Sequence, residues 1–140
     1  MTFFPEIPID EPQAKMIARG LMAIARAEKG VDPRELAIIR DFYPGDPEAL
    51  TNPLGTELAA AFGKGELPRL FLKSALLVAF VDGEYGAQER ALVDSWGAEL
   101  GIPAEEIASL EQSVKEFLLA SLARLSNVEA VAEVAKKLQV

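Results

Sequence analysis

Residues 15–40, KMIARGLMAIARAEKGVDPRELAIIR, lie without a gap over residues 69–94, RLFLKSALLVAFVDGEYGAQERALVD, at a constant offset of 54. Identity is confined to Ala25/Ala79, Glu35/Glu89 and Ala37/Ala91, but chemical character is kept almost throughout. Base stands over base at Lys15/Arg69 and Arg19/Lys73, acid over acid at Glu28/Asp82, and aliphatic over aliphatic at Ile38/Leu92 and Ile39/Val93. Each copy reads as an apolar helix, a short acidic loop and a second helix. Neither unit can bury its apolar face alone, so the two copies are expected to pack together and bring their acidic loops into one structural context.

Helix signals continue outward from the repeat in both directions, and strand alternation is absent, which predicts an all-α fold. Asp10 is the expected N-cap of a first helix over 11–28, with Pro12 early enough to cost no hydrogen bond. Asp32, Pro33 and Glu35 form an acidic capping box that starts a second helix ending near Tyr43. From residue 44 to 65 prolines and glycines break the pattern, and only 56–62 reads as a short helix. A fourth helix is expected to open at Pro68 and run to 82. Leu72, Ala75, Leu76, Ala79 and Phe80 make it nearly apolar and therefore central. Residues 87–100 form its partner, closed by Gly101. Pro103 opens a long helix on which Ile107, Leu110, Val114, Phe117, Leu118, Leu122 and Leu125 recur at three- and four-residue spacing. Ser126 and Glu129 make a further capping box for a last helix, whose inner face carries Val131, Val134, Ala135 and Leu138. The expectation is a bundle of six to seven helices over residues 11–140, preceded by a tail at 1–10.

Composition narrows the function classes. A chain of 140 residues buries roughly 68% of its unfolded surface on folding, so it needs no covalent staple. There is no cysteine and no histidine, which removes thiolate–metal sites, cysteine nucleophiles and the conventional serine triad. With 22 acids against 14 bases the net charge is -8, and nucleic acid and anionic lipid should repel the chain. The opening MTFFPEIPIDEP has acids and prolines where a secretory signal needs a basic and then an apolar segment. The longest apolar run, 75–81, is well short of the roughly 20 residues of a membrane span. A cytoplasmic protein without membrane insertion is the expectation.

The sharpest local signal is the loop Val81-Asp82-Gly83-Glu84-Tyr85-Gly86-Ala87-Gln88-Glu89. Asp82 stands at a helix C-terminus, where the macrodipole disfavours a carboxylate by up to about 1 kcal/mol, so something should compensate. One solution is a turn in which Asp82 accepts loop N–H groups while Glu89 serves the first turn of the next helix. The other is a bound cation, because Asp82, Glu84 and Glu89 are oxygen ligands of the kind Ca²⁺ or Mg²⁺ accepts. An EF-hand is not the model, since the twelfth position from Asp82 is Val93. The first copy offers Glu28, Asp32 and Glu35 as a weaker set, with Lys29 in place of the glycine. The basic pairs Lys15/Arg19 and Arg69/Lys73 read as a solvated face or as ion-pair partners for distant acids, and Asp94 is placed to meet Arg90 at i, i+4.

An aspartate-glycine, five residues and a glutamate after an apolar helix occur in full from Asp82-Gly83 to Glu89, and in degraded form from Glu28-Lys29 to Glu35. In this the chain resembles the tellurite-resistance TerB-like family, over about residues 11–138, and is similar to the N-terminal domain of a membrane-anchored DnaJ-type co-chaperone. The resemblance implies about seven helices with a pseudo-twofold duplication, in a family with no established enzymatic activity. It further implies an acidic cluster suspected of binding metal, here Asp82, Glu84 and Glu89 with Glu28, Asp32 and Glu35, in stress-response or membrane-linked assemblies. Three functions stay open on the sequence. They are a non-enzymatic module binding a divalent cation or a protein partner, a structural interaction domain whose acids are helix caps, and metal-assisted hydrolysis. A protein partner is expected, and a homo-oligomer is compatible with everything above.

Overall fold

The computed structural model describes residues 8–27, 31–81 and 85–122, with backbone alone at 121 and 122. Within them the chain forms six α-helices and no strand: α1 Glu11–Arg26, α2 Pro33–Arg40, α3 Gly55–Phe62, α4 Glu66–Phe80, α5 Ala87–Leu100 and α6 Ala104–Leu122. A single 3-10 turn at Pro47–Ala49 interrupts the connector between α2 and α3. The last capping box, Ser126 with Glu129, and Leu125 lie outside the described residues.

The helix starts follow their caps. Asp10 accepts the Gln13 N–H at 2.8 Å, and its own N–H donates to Gln13 Oε1 at 3.1 Å, so two first-turn donors of α1 are satisfied by one reciprocal pair. α4 begins at Glu66, two residues before the expected start, and Pro68 sits inside its first turn. Proline is tolerated there because first-turn N–H groups have no intrahelical acceptor in any case. α2 is shorter than its apolar pattern suggested. After Arg40 the chain tightens, with Asp41, Phe42 and Tyr43 donating to the carbonyls of Ile38, Ile39 and Ile39 at 3.2, 3.0 and 3.1 Å. α5 ends at Gly101, whose φ of 73° is the left-handed conformation that releases the chain, and Ile102 N–H closes on Gly97 O at 2.8 Å.

α4 is the core helix, as its composition predicted. Phe71, Leu72, Ala75, Leu76 and Val78 are fully buried, and α1, α3, α5 and α6 all pack against it. A ring series crosses the bundle from α3 through α4 to α5: Phe62 to Phe71 at 5.0 Å between centroids, then Phe71 to Trp96 at 5.3 Å. The approach of α1 to α4 depends on Gly20, because a Cβ there would lie 2.3 Å from Phe71 Cε1. From α6, Ile107 and Val114 are buried against this core while Leu110, Phe117 and Leu118 pack at its edge, the faces predicted from their spacing.

At an offset of 54 the two helix pairs agree in detail. α1 ends at Arg26 and α4 at Phe80; α2 opens at Pro33 and α5 at Ala87. Ile17, Ala18, Gly20, Leu21, Met22, Ala23, Ile24 and Ala25 are buried in α1, and their counterparts Phe71, Leu72, Ser74, Ala75, Leu76, Leu77, Val78 and Ala79 are buried in α4. Ile39 and Val93 are each fully buried.

Candidate functional site

The two acidic loops enter α2 and α5, and what the structure describes of them is dominated by capping. In the first, Asp32 has extended backbone and its Oδ1 accepts the Arg34 N–H at 2.7 Å. The Asp32 N–H donates to Glu35 Oε1 at 2.8 Å, completing the expected box. The Arg34 guanidinium binds the same carboxylate at 3.0 and 3.1 Å, and these hydrogen bonds hold Asp32 below the ordinary carboxylate value. In the second loop Gly86 occupies the capping position and has no side chain to give. The Gly86 N–H nevertheless donates to Glu89 Oε1 at 2.9 Å, so the returning half of the box is kept. Glu35 and Glu89 are 4% and 6% exposed, which makes them, with Ser74, the buried polar residues among those described. A buried carboxylate is tolerated only when hydrogen-bonded, and both accept from the backbone at the same position of the repeat.

Around the second loop the side chains form a compact group. The Tyr85 ring lies 4.6 Å from the Phe80 ring and beneath the Arg90 guanidinium at 4.5 Å, and Lys115 Nζ lies 5.4 Å from the Phe80 ring. The Tyr85 hydroxyl is buried and has no hydrogen-bond partner among the described residues. Burial first, and the nearby Glu111 carboxylate second, raise its pKa well above the usual phenol value, so it stays protonated at any physiological pH. Arg90 turns toward α6, reaching Glu111 at 3.4 Å, rather than meeting Asp94 one turn along its own helix. The expected Asp94 pairing is thereby corrected: stacking on Tyr85 and a carboxylate on a neighbouring helix together outweigh an exposed i, i+4 pair worth a few tenths of a kcal/mol.

Of the six residues singled out as metal ligands, Asp32, Glu35 and Glu89 are described, and each has carboxylate oxygens engaged as above. Glu28, Asp82 and Glu84 lie outside the described residues. Among the described residues no three carboxylates converge as a metal would require.

The arginine of each basic pair acts as a long-range tie. Arg19 forks onto Glu57 of α3 at 3.2 and 3.3 Å and gives its Nε to Thr51 O at 3.0 Å. Arg69 binds both carboxylate oxygens of Glu106, in the first turn of α6, and also Gly65 O at 2.8 Å. Lys73 is partly withdrawn from water, and that desolvation lowers its pKa. Arg26, at the end of α1, reaches Leu50 O at 2.8 Å, Asn52 Oδ1 at 3.1 Å and Glu48 O at 3.4 Å. Sequence reasoning found the arginines but not their partners, because residues 37 or 38 apart leave no local pattern. It also missed two adjoining depressions of about 430 and 410 Å³ beside the first turns of α1, which share Pro12, Lys15 and Tyr43.

No described helix is long and apolar enough to cross a membrane. Compared with protein-family models, curated proteins and solved structures, the chain matches none.

Proposed function

We propose that the chain is a non-enzymatic, TerB-like helical module that works by binding a protein partner in a stress-response assembly of the tellurite-resistance type. The observation that supports this reading is the matched burial of Glu35 and Glu89. At one position of both repeats a carboxylate is withdrawn from solvent and committed to the backbone of the loop it follows. A catalytic carboxylate needs access to substrate, whereas these two are turned onto the backbone of Asp32 and Gly86 at the helix starts. The same observation favours a capping role for Asp32, Glu35 and Glu89 over a divalent-cation site that would also use Glu28, Asp82 and Glu84.

Thermal melts of the wild type and of Asp82→Asn, each with and without millimolar Ca²⁺ or Mg²⁺, test this choice. Caps predict that the wild-type melt is indifferent to both ions and that Asp82→Asn melts close to it. A midpoint that climbs with ion concentration in the wild type, by mass action, and does not in Asp82→Asn would assign the second loop to a cation.

A further inference from the structure

We draw no further inference here: the strongest candidate, the pair of adjoining depressions between the first turns of α1 and the Phe42–Thr51 connector, mixes the charges of Glu11, Lys15 and Arg19 with apolar lining, and nothing in the structure shows what covers it.

Discussion

The α1–α2 pair and the α4–α5 pair carry the same burial pattern on different hardware, and their basic positions show what is exchangeable. Lys15 and Arg19 in the first pair stand where Arg69 and Lys73 stand in the second, so the arginine has moved by one turn. In both pairs it is the arginine that holds a glutamate in the first turn of a later helix, Glu57 in α3 and Glu106 in α6. A planar guanidinium can bind both oxygens of one carboxylate at once; an ammonium cannot reproduce that fork. The tie therefore follows the residue type rather than the register. The lysine left over is exposed in one half and partly buried in the other.

The hardest test of the comparison lies in the core. Leu76→Ala and its counterpart Met22→Ala each remove a fully buried side chain, and each should cost about 2–5 kcal/mol in urea unfolding. The two variants should keep one transition with a common slope, as expected if both pairs belong to a single cooperative unit. Separate transitions for the two would break the equivalence.

Gly20 and Ser74 are the next pair to compare. Gly20→Ala pushes a methyl group into the Phe71 ring and should cost about 1–3 kcal/mol, the usual range for overpacking. Ser74→Ala loses a bond from its hydroxyl to Leu70 O, 2.9 Å within its own helix, and should cost no more than about 1 kcal/mol. Equal losses measured by the same unfolding experiment would mean that the contact between α1 and α4 is not set by Gly20.

A smaller asymmetry is expected at the caps. Glu89→Ala leaves the Gly86 N–H without its carboxylate, at a cost of about 1–3 kcal/mol, and no capping side chain at Gly86 softens the loss. Glu35→Ala should cost less, since Asp32 still caps α2. Glutamine at either site keeps an acceptor oxygen and should recover part of the difference. The ranking of the four melting temperatures decides it.

The least effect belongs to acid pH. Asp32 has a folded pKa below its ordinary value, so its contribution is complete above the unfolded value near 3.9 and is lost as pH falls through the folded one. The group is partly exposed, its partner Arg34 more so, and the pairing is screened, so only a slight acid shift is expected. Asp32→Asn should flatten the stability profile below about pH 4 and leave it parallel to the wild type above. The second half, with Gly86 at that position, has no such term.

Legibility tracks the range of each interaction. Asp10, Asp32 and Glu35 announce helix starts through contacts two or three residues away, and α5 was bounded on both sides by glycine. The start of α4 was misjudged because proline suits any first-turn position, so Pro68 marks the turn without marking the residue. Glu89 was singled out for either of two roles, since a capping carboxylate and a ligand carboxylate leave the same local signature. Glu57, Glu106 and Glu111 were invisible because their partners lie on other helices. The stacking of Tyr85 between Phe80 and Arg90 likewise depends on α4 and α5 being side by side.

One guanidinium ties the irregular connector between α2 and α3 to the end of a long, regular helix. Arg26 grips Glu48, Leu50 and Asn52 from the last turn of α1, so that turn and the connector share their hydrogen bonds. The fraying expected at a helix end and the opening expected of a proline-rich loop are then a single event. Amide exchange in the two places should follow one opening equilibrium, and the bundle has one fewer independently melting part than its secondary structure suggests.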